Sequence, residues 1–148
     1  MDSSGDPLLF LRAPARLPRA ELRSFARQLI REVARGRSFH CLLTDDRELR
    51  RLNRQFLGKD QPTDVLSFPE PGPDAYLGEM AISVDRARHQ ARRLGHSLAD
   101  ELKILMLHGV LHLMGMDHES DSGQMARRER RLRRQFELPC GLIERVTS

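Results

Sequence analysis

Residues 108–118 read HGVLHLMGMDH, and the reading of this stretch decides the fold around it. The approach to it, Leu102 to Leu113, is apolar almost without a break. That predicts a helix buried at the centre of the molecule, since a surface helix would keep a polar face. Residues four apart on a helix share a face, so His108 and His112 converge. Gly115 lets the chain leave the helix in a conformation that other residues resist, and the turn returns His118 to the same point. Three neutral imidazoles with a water in a fourth position make an open zinc site of the catalytic kind. Without an ion, each buried imidazole would need partners or carry a desolvation cost. The flanking Leu107, Leu111, Leu113 and Met114 side chains offer none. A single histidine on such a helix is ordinarily a hydrogen-bonded core residue; three at this spacing around a glycine point to metal. His40, His89 and His96 follow no such pattern and read as incidental.

The spacing H-x3-H-x2-G-x2-H is that of the metzincin peptidases, but the position after the first histidine is Gly109 rather than glutamate. Peptide hydrolysis needs a proton shuttle beside the attacking water, and glycine cannot serve. Phosphodiester cleavage is more tolerant. A metal polarises the phosphate, arginines and helix N-termini hold its charge, and in RNA the adjacent 2′-hydroxyl is itself a nucleophile. Asp117 either orients an imidazole through its carboxylate or caps the turn.

Working outward, the flanking segments predict an alternation of strands and helices. Leu8 to Leu11 reads as a short strand. Pro18 then opens a helix from about Glu21 to Ala34, with Leu22, Phe25, Ala26, Leu29, Ile30 and Val33 at helical spacing and Gly36 as its stop. Arg19, Arg23, Arg27, Arg31 and Arg35 line the opposite face, either as a solvated surface or as a rail for RNA phosphate. Phe39 to Leu43 reads as a strand. Asp45 with Glu48 resembles a capping box opening a helix that carries Leu49, Leu52 and Phe56. Val65 to Phe68 and Gly78 to Val84 read as strands joined by a Pro/Gly-rich loop. A helix near Arg86 to Leu94 ends at Gly95, and Ser97 caps the central helix. The last helix, about Ser122 to Phe136, puts Met125, Glu129, Leu132 and Phe136 on one face. Its arginines Arg127, Arg128, Arg130, Arg131, Arg133 and Arg134 form either a surface for a partner or a solvated one. The pattern predicts one domain, either α+β or layered α/β, of about four strands and about five helices, with a metal site on the late central helix and its turn.

Composition sets outer bounds. With 148 residues and 39% apolar content the chain is large enough for one packed core. No apolar run approaches the roughly 18 residues that span a bilayer, and MDSSGDPLLF lacks the basic start of a signal peptide. Cys41 and Cys140 read as reduced thiols of a cytoplasmic protein. The net charge of +4 is modest, but 23 of the 25 basic residues are arginine, whose planar fork suits phosphate.

HGVLHLMGMDH at 108–118, LNRQFLGKDQPTDVLSFP at 52–69 and LGEMAIS at 77–83 together resemble the YbeY family of bacterial rRNA maturation factors. The order and spacing of the blocks match over most of the chain, and the resemblance implies a single α+β domain over residues 1–148 with a small mixed sheet of about four strands and about five helices. The resemblance implies a single-strand-specific endoribonuclease acting in rRNA processing, including the 3′ end of 16S rRNA, and in ribosome quality control. It implies His108, His112 and His118 as ligands of one Zn2+, and PTDVLSFP as the wall of the catalytic cleft. Single-stranded RNA, 16S rRNA and the small ribosomal subunit are the implied partners, with no membrane and no DNA. One departure matters: the family usually has arginine before the glycine of the GKD block, where this chain has Leu57. Arg54 and Lys59 are the candidates to replace its phosphate clamp, beside the histidines, in the catalytic set. The alternative is a ribosome-associated assembly factor with weak or no cleavage and a mainly structural metal.

Overall fold

The structure is a computed structural model describing residues 6–60, 63–70 and 76–139. Cys140 lies outside them. Among the described residues the chain runs β1 (Leu8–Phe10), α1 (Arg19–Glu32), β2 (Ser38–Thr44), α2 (Asp46–Leu57), β3 (Val65–Pro69), β4 (Tyr76–Ser83), α3 (Val84–Leu94), α4 (Leu98–Leu113) and α5 (Gln124–Gln135). The expected α+β architecture of four strands and five helices is present. The sheet order is β1-β2-β4-β3. β1, β2 and β4 are parallel, while β3 joins the far edge antiparallel to β4, with Ser67 opposite Met80.

The period-two alternation of strands divides the core between two faces. Phe39, Cys41 and Leu43 of β2 and Met80 and Ile82 of β4 face α1, α3 and α4 in the main core. Leu42, Leu66, Phe68 and Ala81 face α2, where Leu49 and Leu52 cover them. β3 therefore uses both faces, with Val65 on the main core and Leu66 and Phe68 on the smaller one. α2 covers its side incompletely: Phe56 is 58% exposed, although its spacing placed it on the apolar face. Its ring meets the Phe68 ring edge-on, with centroids 5.6 Å apart.

Local chemistry sets the helix ends. Asp45, Ser83 and Ser97 each accept a backbone N–H in the first turn of the helix they precede. The capping box at Asp45 is only half formed. Glu48 donates its N–H to Asp45, but its carboxylate is taken by Arg12 and Arg51. α4 is buried on nearly all sides from Glu101 to Leu113, the burial its apolar composition requires. It packs on β3 and β4 beneath, on α3 and α1 at its flanks, and on α5, so whatever α4 carries is held by most of the molecule.

Candidate metal centre

His108 is buried, and it and His112 project from one face of α4 with their Nε2 atoms 3.1 Å apart. α4 then stops in a Schellman turn: Met116 N–H donates to Leu111 O and Gly115 N–H to His112 O. This geometry needs a left-handed residue, and Gly115 supplies it at φ 92°. The turn carries His118 back, and one nitrogen from each of the three rings lies within 4.8 Å of the others. Asp117 caps the turn, accepting from Glu119 N and from Ser120 Oγ, both at 3.1 Å. Of its two expected roles, that is the one its contacts fill.

A residue that sequence reasoning left unassigned orients the first imidazole. Glu129 of α5, 1% exposed, accepts from His108 Nδ1 at 2.7 Å, which leaves His108 Nε2 free to face the centre. Its signal was visible as a carboxylate on an otherwise apolar helix face. Its partner was not, because 21 residues separate the two. α5 is itself anchored by Asp121, whose carboxylate accepts from Gly123 and Met125 N–H at 2.8 and 3.0 Å. Burial, and then the neighbouring His108, push the His112 pKa below its ordinary value; a hydrogen bond to the Met116 backbone opposes the shift. A neutral imidazole is the form that binds metal.

These residues fit a metal ion. Among the described residues His118 Nδ1 is buried with no hydrogen-bond partner, an arrangement that costs free energy unless something else pairs with it. The outer nitrogen of His108 is fixed by a carboxylate, and such a carboxylate–histidine pair is typical support for a metal ligand.

The centre opens on a cleft of about 470 Å³ lined by Leu57, Val65, Ser67, Pro69, His108, His112, Met116 and Asp117. A larger hollow of about 570 Å³ lies on the α2 face, but it is mainly apolar and lacks the three-histidine cluster. Gly109 has a structural reason. Its carbonyl accepts from Ser67 Oγ at 3.3 Å, and a Cβ there would sit 2.7 Å from Met80 Sδ. A glutamate at 109 would press into the sheet. The expected catalytic cations are not part of the cleft lining. Leu57 is, at 50% exposure. Arg54 lines a separate polar groove with Arg12, Arg47, Arg50 and Arg51. Lys59 is exposed, two residues beyond Leu57. Asp64 is half-buried, and burial pushes its carboxyl above the usual range against the opposing hydrogen bond from its own backbone N–H. His96 and His40 are structural: His96 Nε2 lies 2.6 Å from the buried Glu101, and His40 Nδ1 lies 2.8 Å from Tyr76 Oη.

Fold and site together define a small α+β hydrolase class, with an open three-histidine centre on a buried helix and glycine at 109 where a peptidase carries its glutamate base. Within that class the chain belongs to the endoribonuclease YbeY family, whose family model matches residues 13–137. Relatives named endoribonuclease YbeY include one from Solibacter usitatus, 58% identical over 144 residues, 97% of each chain. Another, from Koribacter versatilis, is 56% identical over 107 residues, covering 72% of this chain and 70% of that one. A solution structure of a Thermotoga maritima protein is similar at TM-score 0.56 and 28% identity, over 84% of this chain and 85% of that one. The chain is accordingly an endonuclease-type hydrolase.

Proposed function

We propose that residues 1–148 work as one unit, a metal-dependent endoribonuclease that cuts single-stranded RNA in rRNA processing. Its work includes maturation of the 16S rRNA 3′ end and ribosome quality control, with the small ribosomal subunit as partner in the cytoplasm. Neither DNA nor a membrane enters this reading; no described helix is long and apolar enough to cross a bilayer. The supporting observation is the convergence of three imidazoles, two of them lining an open cleft, in a chain whose relatives carry the name of an endoribonuclease. That combination also disfavours an assembly factor with a merely structural metal.

His108, His112 and His118 would hold one zinc ion. When bound, the ion supplies a Lewis acid that takes up phosphate charge and acidifies water towards neutrality. The chain's own residues do the rest. Glu129 keeps His108 in the tautomer whose Nε2 faces the centre. β3 walls the cleft, with Ser67 tied to Gly109 O so that sheet and α4 hold their spacing. Leu57 presents apolar surface to a base or ribose where an arginine would grip phosphate. Lys59, on a long flexible stem just past Leu57, takes the charge role, with Arg54 one turn earlier as the second candidate. A 2′-hydroxyl next to the scissile phosphate makes a protein side chain at 109 unnecessary.

The test is cleavage of a defined single-stranded RNA by purified protein, with metal content measured for wild type and His112→Ala. The expected result is loss of metal and of cleavage together; cleavage that survives complete metal loss refutes the mechanism. Lys59→Ala is expected to slow cleavage with metal retained, and a wild-type rate removes Lys59 from the site.

A further inference from the structure

Five arginines on the surface stand beside carboxylates: Arg12 with Asp45 and Glu48, Arg23 with Asp6, Arg50 with Asp60, Arg51 with Glu48, and Arg86 with Asp46. Where the end of α1 meets α5 the pattern breaks. Arg37 Nε donates to Ala34 O at 2.9 Å, and Arg128 Nη2 reaches Val33 O at 3.5 Å. Ala34 O also accepts the Arg37 backbone N–H at 3.2 Å, so Arg37 closes on it twice, and the two bonds draw two half-buried guanidiniums to carbonyls just past the end of α1. Arg35 and Arg131 stand nearby, both exposed. Among the described residues, none of the four has an ion pair with Asp or Glu. Arg128 is perturbed first by burial and then by Arg131, Arg35 and Arg37, all lowering its pKa, with no carboxylate opposing them.

Capping accounts for only part of this cluster. A helix C-terminus carries roughly half a negative elementary charge, too little to balance four guanidiniums. Arg35 adds an independent sign. Its φ is 57°, a left-handed conformation that strains a residue with a side chain and suits glycine. A side chain at that position costs stability, and the side chain present is a cation.

We infer that Arg35, Arg37, Arg128 and Arg131 form a second RNA-binding site, which grips the phosphates of a single-stranded substrate outside the cleavage cleft. The identity of the anion rests on the endoribonuclease reading; the convergence of charge does not. The site spans the turn after α1 and the exposed side of α5, and two of its four arginines are exposed, so it suits an extended backbone better than a compact ion. α5 connects it to the centre, since Glu129, between Arg128 and Arg131 in the chain, turns inward to His108. Two other members of the α1 arginine row are differently engaged: Arg19 lies 4.3 Å from the Phe10 ring centroid, and Arg23 pairs with Asp6. The patch therefore centres on the α1–α5 junction.

The test compares wild type, Arg35→Gly, Arg131→Gln and the double variant as full-length, zinc-loaded protein. Binding of a long, labelled single-stranded oligoribonucleotide is followed by fluorescence anisotropy across salt concentrations, with RNA integrity checked on a gel. Each lost phosphate contact flattens the log Kd against log salt slope by about 0.7, so the double variant falls by about 1.4. Arg35→Gly keeps or raises Tm because glycine accepts the positive φ, and cleavage of a trinucleotide too short to reach the patch is unchanged. An unaltered slope in the folded double variant overturns the inference. So does a variant that loses binding of pyrophosphate while keeping its RNA slope, which would mark a small-anion site. A slope that depends on the patch in a protein that cleaves no RNA supports the patch and refutes the nuclease reading. Cleavage with an unaltered slope does the reverse.

Discussion

Replacing Glu129 separates the support of the centre from the centre itself. The carboxylate is 1% exposed and accepts from His108 Nδ1 at 2.7 Å. In Glu129→Ala the imidazole loses that acceptor inside the protein, at a cost of about 1–3 kcal/mol. Its ring is then free to rotate or to take the other tautomer, which turns a proton rather than a lone pair towards the centre. Loss of an outer-shell partner of this kind lowers metal affinity about 10–100-fold, or about 1.4–2.7 kcal/mol. Glu129→Gln keeps an acceptor oxygen and loses only the charge, so its loss falls at the lower end, about tenfold. The assay is a competition titration of zinc against a chromophoric chelator, paired with Tm for metal-free and metal-loaded protein. Both variants are expected to melt earlier without metal, and the metal-induced rise in Tm shrinks in the order wild type, Gln, Ala. A folded Glu129→Ala protein that binds zinc with the wild-type Kd would refute the argument and leave Glu129 as a packing residue.

Gly109→Ala gains about 1 kcal/mol of helix propensity but forces Met80 aside, at a typical overpacking cost of about 1–3 kcal/mol. Net destabilisation of up to about 2 kcal/mol is expected by denaturant titration, and wild-type stability would show that Met80 yields freely. Gly109→Glu is expected to confer no peptide hydrolysis on a fluorogenic peptide, because its side chain enters the sheet. Cys41 is buried and its burial pushes the thiol pKa up; in a Cys140→Ser background a thiol reagent should label it only at the rate of global unfolding. Asp121 is held below the usual carboxylate range by the Met125 and Gly123 N–H groups. Its stabilisation is therefore complete above the unfolded carboxyl pKa of about 3.9 and lost as pH falls through the lower folded value. Asp121→Asn should flatten the Tm–pH curve below about pH 4 relative to wild type, and identical acid limbs would contradict the cap.

Local signals along the chain were legible because their physics is local. The helix stop at Gly95 is a left-handed cap, Ser97 caps α4, and the burial of α4 follows from its composition. The two histidines on α4 and the glycine turn are likewise a matter of helical periodicity and backbone conformation. Phe56 was misread for the same reason: periodicity names a helix face but not how much sheet lies beneath it. Arg54 and Lys59 were chosen by their nearness in sequence to Leu57, and α2 turns Arg54 towards another groove.

The remaining decisions belong to segments far apart in the chain. Glu129 meets His108 only when α5 docks on α4, and Gly109 meets Met80 only when α4 lies across β4. The arginines of α1 and α5 become one patch only where the two helices touch. Residue order carries helix caps, strand alternation and a histidine spacing because these depend on neighbours within a turn or two. Which carboxylate supports an imidazole, and which charges are left without a partner, depends on how buried faces pack against one another. Such packing is a property of the whole core, and no window of the sequence contains it.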